Sequence, residues 1–104
     1  MYRGTTPTLI FDLSANKTLV FDNFDEVWVT LKKGVYEVTW DLAKCVLDSV
    51  AKTISITLTQ EETLALPKPV VNAQIRILLN NGSALATNIA EIDVNEILKE
   101  GVIE

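Results

Sequence analysis

A chain of 104 residues is long enough for one domain with a single core, and its 48% hydrophobic content excludes disorder as the general state. The formal net charge of −5 disfavours nucleic acid and anionic membrane surfaces as partners, because both are bound through Lys and Arg. There is no run of about 18 apolar residues, no apolar signal core near Met1, and only one cysteine, Cys45, so we expect a cytoplasmic protein without an internal disulfide.

Alternating apolar and polar residues predict the strands in the first part of the chain. After a flexible lead over residues 4–7, we expect strands over residues 8–13 and 24–32. The loop between them holds a candidate short strand over residues 18–21. Residues 35–40 return as the hairpin partner of the second strand, with Tyr36, Val38 and Trp40 on one face and Trp40 closing the core.

The next part of the chain changes from weak to strong periodicity. Residues 41–52 are the least periodic, and they predict either an edge strand or a single helical turn around residues 42–47. Residues 53–59 alternate without error between hydroxyl side chains at odd positions and aliphatic side chains at even positions, and most of them are β-branched. This pattern predicts a strand with one buried face.

A short helix follows that strand. Thr59 and Glu62 have the spacing of a capping box, in which each side chain binds the other residue's backbone amide. Two prolines shortly afterwards stop a helix, so we predict one over residues 60–66. We expect it to cross over one end of the β core and to bury Leu64 or Leu66 there.

A hairpin dominates the last third of the chain. Residues 71–79 alternate again, and Asn81-Gly82 predicts a type I′ turn into a partner strand over residues 84–94. In the partner strand the apolar residues are at odd positions first, Leu85 and Ile89, and then at even positions, Ile92 and Val94. A bulge near Thr87-Asn88 would allow both sets to face the same side. Beyond it, a cap at Asp93 or Asn95 and a stop at Gly101 predict a short C-terminal helix.

About seven strands at intervals near ten residues are typical of an immunoglobulin-like fold. We therefore predict a mainly β, single-domain protein over residues 1–104. It is an immunoglobulin-like antiparallel β-sandwich with one short crossover helix and a short C-terminal helix. A small β-barrel is the alternative.

The residue types give little support to an enzyme. Histidine is absent, which removes the commonest general base and metal ligand. Cys45 has no good base beside it in sequence, and a structural thiol is the simpler interpretation. The carboxylate pairs Asp25-Glu26 and Glu61-Glu62 fit a solvated and a capping role, respectively, better than paired acid catalysis. Glu91 and Asp93 share one face of a late strand, where a weak cation site with Asn95 is the alternative, but the spacing is not that of a calcium loop. We therefore expect no catalytic residues, no metal and no cofactor.

Outward-facing apolar residues suggest a contact surface instead. Trp28 is in phase with Glu26 and Thr30 on the polar face of its strand. Leu78 is out of phase with the apolar residues of its own strand, residues 71–79. If both lie on one sheet, they form an apolar patch suited to self-association. The alternatives are that Trp28 packs under residues 41–52, or that Trp28 or Tyr2 stacks on a sugar in a carbohydrate- or receptor-binding module.

Four stretches also occur together in a distinctive order: residues 1–8 (MYRGTTPT), 58–63 (LTQEET), 81–88 (NGSALATN) and 94–103 (VNEILKEGVI). In these stretches the chain resembles a family of small structural proteins encoded by phages and prophages of Gram-positive bacteria. The resemblance spans nearly the whole chain and is weakest over residues 41–52.

The resemblance implies a non-enzymatic virion protein, tail- or baseplate-associated, that acts through protein–protein contacts. Its partners would be other phage structural proteins and, in a homo-oligomer, copies of itself. It would occupy the host cytoplasm during assembly and then the virion. An arm formed by residues 3–6 would lie over a neighbouring subunit. With the outward-facing apolar residues added, the expected interaction surface comprises Tyr2, Arg3, Trp28 and Leu78.

Overall fold

Two antiparallel β-sheets make up most of the protein. The structure is a computed structural model that describes residues 1–15 and 19–103. The first sheet has the strand order β1-β5-β4, formed by β1 (Thr8–Asp12), β4 (Cys45–Asp48) and β5 (Thr53–Thr57). The second sheet is formed by β2 (Phe24–Lys33), β3 (Tyr36–Trp40), β6 (Val70–Leu79), β7 (Ala84–Ala86) and β8 (Ala90–Asp93). Its strand order is β3-β2-β6, and β7 and β8 both pair with the far side of β6. The predicted β class and its two antiparallel sheets are confirmed.

One hydrophobic cluster receives side chains from both sheets. Its fully buried members come from alternate positions of β2, β5 and β6, which is the pattern of strands with one inner face. They include Val27, Val29, Leu31, Ile54, Ile56, Val71 and Ile75. Burial of each such side chain contributes about 1.5–3 kcal/mol, so these three strands stabilise the core. Tyr36, Val38 and Trp40 of β3 are half-buried against it.

The predicted capping box is present at the start of the crossover helix, α1 (Gln60–Leu64). The Glu62 amide donates to Thr59 Oγ1 at 3.1 Å, and the Thr59 amide donates to Glu62 Oε1 at 2.8 Å. The helix ends earlier than residue 66, and Leu66 is buried whereas Leu64 is half-buried. No helix in the described part of the chain is long and apolar enough to cross a membrane.

The turn between β6 and β7 differs from the predicted type I′. Only Gly82 in this turn has a positive φ, of +90°. The Gly82 amide donates to the Leu79 carbonyl at 3.0 Å, and the Leu79 amide donates to the Ser83 carbonyl at 2.8 Å. The loop therefore contains three residues and ends in a left-handed glycine, which is the geometry of a hairpin with a G1 bulge. The type I′ prediction was wrong because it assumed a two-residue loop.

The predicted bulge near Thr87-Asn88 is confirmed. Arg76 pairs with Ala86 and Ala73 pairs with Ala90, so three steps along β6 face four steps along the other strand. At the break, the Thr87 amide donates to the Ile75 carbonyl at 2.9 Å, and the Ile75 amide donates to Thr87 Oγ1 at 3.0 Å. The bulge divides one predicted strand into β7 and β8.

Two irregular segments were only partly predicted. In the connection over residues 41–52, both alternatives occur, because a 3-10 turn (Leu42–Lys44) leads into the edge strand β4. The candidate strand over residues 18–21 is not formed at residues 19–21: Leu19 and Val20 have no regular structure, and buried Phe21 begins a 3-10 turn (Phe21–Asn23). Thr18 lies outside the described residues.

The prediction of a C-terminal helix was wrong. Residues 94–103 contain no helix, and Asn95 forms an isolated parallel bridge with Tyr2. The Asn95 amide donates to the Met1 carbonyl at 2.6 Å, and the Asn95 carbonyl accepts from the Arg3 amide at 3.1 Å. A helix this short is marginal by itself, and the backbone groups that would begin it are bound to the opposite end of the chain.

Candidate interaction surfaces

The outer face of the five-stranded sheet carries an apolar group of side chains, which we call the outer patch: Trp28, Leu78, Ala84 and Ala86. Trp28 lies opposite Arg76 on β6, and Arg76 lies opposite Ala86 on β7. One pair further along, Glu26 lies opposite Leu78, and Leu78 opposite Ala84. The Trp28 residue is 41% exposed. The structure thus brings together Trp28 and Leu78, as the patch hypothesis required.

The 3-10 turn (Leu42–Lys44) borders Trp28 without covering it. A shallow depression beside the ring is lined by Glu26, Trp28, Asp41 and Leu42, among others. Leu42 is itself 38% exposed. Residues 41–52 therefore lie beside Trp28 and do not cover it, in contrast to the alternative in which Trp28 packs under them.

A groove opens between the two sheets on the side where β1 and β7 form their edges. Its volume is about 500 Å³, and much of its lining is apolar, with Phe11, Leu13, Leu19, Ile77 and Leu85 among the lining residues. Within the described chain, β1 pairs only with β5, and β7 pairs only with β6. The outer backbone edges of β1 and β7 are therefore open to an added strand. The groove has no local signal in the sequence, because it depends on how the two sheets stack.

Tyr2 and Arg3 lie at the opposite end of β6 from Leu78. Asn95, the bridge partner of Tyr2, follows β8, and β8 pairs with the first residues of β6. Leu78 is eight residues beyond Val70 on β6, a separation of roughly 26 Å at 3.3 Å per residue. The four predicted surface residues therefore divide into two separate groups.

Arg3 is bound to its own chain and is not part of a free arm. Its guanidinium donates to Glu96 Oε1 at 2.6 Å, Glu100 Oε1 at 3.1 Å and the Leu64 carbonyl at 3.0 Å, and its side chain is only 15% exposed. Lys68 also pairs with Glu96. The lead over residues 4–7 was expected to be flexible, but its backbone is bound: the Thr5 carbonyl accepts from Thr63 Oγ1 at 2.8 Å, and the Pro7 carbonyl accepts from the Leu58 amide at 2.9 Å. Tyr2 remains 59% exposed.

We call this assembly of residues 1–5, α1 and residues 94–103 the terminal clasp. The buried Thr63 hydroxyl lies 2.8 Å from the Thr5 carbonyl, to which it donates. Gly4 has a φ of +72°, and a Cβ there would lie 3.0 Å from Ile97 Cδ1. The Gln60 side chain binds the Ile103 backbone, through its amide nitrogen at 3.0 Å and its oxygen at 2.8 Å. The role of Thr63 was not foreseen, since a threonine in a short helix gives no signal of burial.

A second polar cluster lies between the end of β3, the 3-10 turn before β4, and α1. Lys44 Nζ donates to Glu62 Oε1 at 2.8 Å and lies 5.6 Å from the ring centroid of Trp40. Burial alone would raise the pKa of Glu62, but hydrogen bonds from Lys44 and the Thr59 amide, together with the Lys44 charge, lower it. Burial, and then the charge of Glu62, raise the pKa of Tyr36. Lys44 and Glu62 therefore have a structural role, because Lys44 binds Glu62 beside the Trp40 ring and Glu62 also binds the Thr59 amide.

Cys45 has the environment of a structural thiol. Its Sγ donates to the Asp41 carbonyl at 3.5 Å, and the residue is half-buried. Burial, and then the charge of Asp41, raise the pKa of the Cys45 thiol. A raised pKa reduces the fraction of thiolate, which is the nucleophilic form.

The carboxylate pairs do not converge on a common centre. Glu62 belongs to the helix cap, and Asp25, Glu26, Glu91 and Asp93 are exposed on strands or at strand ends. In residues 1–15 and 19–103, no group of three or more Cys, Asp or Glu side chains is placed to hold a metal ion.

Comparison with known proteins gives no relative for this chain. No protein-family model, no curated protein and no solved structure matches it.

Proposed function

We propose that the chain is a non-enzymatic structural protein of phages and prophages of Gram-positive bacteria, associated with the tail or baseplate. It acts by contact with other structural proteins of the particle, first in the host cytoplasm and then in the virion. The proposal rests on the sequence resemblance, and the geometry of the terminal clasp supports it.

The observation that carries the proposal is the meeting of three resembling stretches in the terminal clasp. Residues 1–8, 58–63 and 94–103 are far apart in sequence, yet they contact one another through Arg3, Thr63 and Gln60. The motif residues therefore have a joint structural role. Arg3 pairs with Glu96 and Glu100, an added Cβ at Gly4 would lie only 3.0 Å from Ile97 Cδ1, and a capping box begins α1. Motif matches that cooperate in one part of the structure support common descent with the phage family better than matches at unrelated turns would.

We further propose that the two sheets form an immunoglobulin-like sandwich. Strands β1, β5 and β4 take the places of strands B, E and D. Strands β3, β2 and β6 take the places of C′, C and F, and β7 with β8 takes that of G. Strand A, which would pair beside β1, has no counterpart among the described strands, and its place is the groove. Immunoglobulin-like modules serve widely as binding modules, which fits a protein that works by contact.

The experiment that tests the function is the composition of purified particles. Particles from the induced lysogen that carries the gene are separated on a density gradient, and their peptides are identified by mass spectrometry. We expect this protein at a fixed ratio to the major tail protein, with labelling by antibody at one place on the particle in electron micrographs. A host protein of similar abundance is the control. Absence from both particles and assembly intermediates would refute the proposal.

The exposure of Trp28 and Tyr2 favours a second candidate, a carbohydrate- or receptor-binding module. Exposed aromatic rings stack on sugars at little entropic cost. A glycan array or cell-wall preparation tests this candidate directly. Binding that is lost in Trp28→Ala or Tyr2→Ala, with the fold retained, would support it over the first.

A further inference from the structure

We propose that the outer patch is a homodimer interface, in which a second copy of the chain docks about a two-fold axis along the diagonal from Trp28 to Leu78. The inference rests on the proposed function, of which it names one partner. The positions and charges of four residues support it: Trp28, Leu78, Glu26 and Arg76.

These four side chains form a checkerboard on one face of the sheet. Trp28 and Arg76 are cross-strand neighbours, as are Glu26 and Leu78. Neighbouring strands are about 4.8 Å apart, and residues two positions apart on one strand are separated by about 6.7 Å. The apolar pair thus lies on one diagonal, and the charged pair lies on the other.

A two-fold axis along the apolar diagonal makes this arrangement complementary to itself. The axis brings Trp28 against Trp28 of the second copy and Leu78 against Leu78. The same rotation exchanges the ends of the other diagonal, so Arg76 of each copy faces Glu26 of the other. Interfaces with two-fold symmetry require this kind of self-complementarity.

The other simple axes in the plane of the sheet fail this requirement. An axis parallel to the strands would put Glu26 against Leu78, and an axis across the strands would put Arg76 against Leu78. Both would desolvate a charge against an apolar side chain, which costs free energy without a compensating pair. An axis along the charged diagonal would put Glu26 against Glu26 and Arg76 against Arg76, which is repulsive. The charge pattern therefore selects the apolar diagonal.

Glu26 and Arg76 are available for contacts between copies. Neither side chain forms an ion pair or hydrogen bond with another described residue, whereas Arg3, Lys32, Lys44 and Lys68 each do. Both residues are exposed. The small side chains of Ala84 and Ala86, the β7 members of the outer patch, leave room for a close approach. Because each copy has a formal net charge of −5, non-specific association between copies is disfavoured. The two Arg76–Glu26 contacts fix how one copy is oriented on the other.

Sedimentation velocity over a concentration series tests the proposal with paired charge reversals. Glu26→Arg alone places Arg against Arg at both contacts, and Arg76→Glu alone places Glu against Glu. We expect each to weaken dimerisation about tenfold or more. The double variant E26R/R76E restores both contacts, so its dissociation constant returns to within about threefold of the wild-type value. Trp28→Ala weakens the dimer by about tenfold as well.

Mixing the two single variants gives a sharper result. In a heterodimer of Glu26→Arg with Arg76→Glu, both contacts join Arg to Glu, so the mixture forms dimers that neither variant forms alone. The matched control is a mixture of Glu91→Arg and Lys99→Glu. These variants make the same charge changes outside the patch, and each keeps wild-type dimerisation alone.

A wild-type protein that stays monomeric at every concentration overturns the proposal. So does a dimer that Glu26→Arg weakens no more than Glu91→Arg does, or single variants that show no recovery on mixing. Circular dichroism verifies that each variant is folded. Failure here leaves the proposed function intact if the protein is found in purified particles, and absence from particles leaves a measured dimer intact.

Discussion

The terminal clasp yields a prediction that compares the two arginines of the chain. In Arg3→Met, the aliphatic stem is kept and all five N–H donors are lost. A hydrogen bond from a charged group to the Leu64 carbonyl is worth about 1.5 kcal/mol. Each ion pair to the exposed carboxylates of Glu96 and Glu100 adds about 0.3 kcal/mol after solvent screening. The free energy of unfolding should therefore fall by about 2 kcal/mol, which corresponds to a decrease in Tm of about 10 °C for a domain of this size.

Arg76→Met is the matched control, because it removes the same group where it has no partner within the described chain. Its free energy of unfolding should change by less than about 0.5 kcal/mol. Urea unfolding at low protein concentration, followed by tryptophan fluorescence, measures both variants. The difference between wild type and Arg3→Met should shrink partly in high salt, since the ion pairs are screened and the bond to Leu64 is less so. Equal effects of the two substitutions would contradict the clasp as a stabilising unit.

Two further predictions concern the same end of the molecule. Gly4→Ala should lower the free energy of unfolding by about 1–2 kcal/mol more than Gly34→Ala does. Both glycines have a positive φ, but only at Gly4 would the added Cβ have a close neighbour, Ile97 Cδ1 at 3.0 Å. Thermal unfolding measures both variants, and equal losses of stability would refute the close contact. Glu62→Gln should flatten the acid limb of the stability curve. The folded-state pKa of Glu62 is lowered below its ordinary value of 4.5, so its contribution is complete above that pH and is lost as the pH falls through the folded-state pKa. Urea unfolding at a series of acidic pH values should show this, and a variant as acid-sensitive as the wild type would assign the effect to other carboxylates.

The strands and the helix cap could be predicted because their signals are local. Alternation over residues 53–59 and 71–79 follows from one buried face, and β5 and β6 occupy those positions. The capping box needs only Thr59 and Glu62 at the right spacing. The bulge at Thr87 was visible as a slip in apolar phase, because a strand that keeps the same face buried must insert a residue there.

The remaining features depend on contacts between distant residues. Asn95 looks like a helix cap in sequence, but its backbone binds Met1 and Arg3, more than 90 residues away. Gly82 has a positive φ in both the predicted and the observed turn, and only the pairing of Leu79 with Ser83 decides the loop length. The outward direction of Trp28 was predictable from its phase, whereas its position beside Arg76 requires the register of β2 on β6.

The terminal clasp also decides where attached groups can go. Met1 and Ile103 both lie at the α1 end, through Asn95 and Gln60 respectively, while the loop at Gly82 lies at the far end of β6. A fluorophore or surface linker attached at residue 1 or at residue 103 would therefore leave from the same side of the molecule. Immobilisation through such a linker leaves Trp28 and Leu78 accessible to a partner in solution, which makes these two positions suitable for surface-based binding measurements on that face.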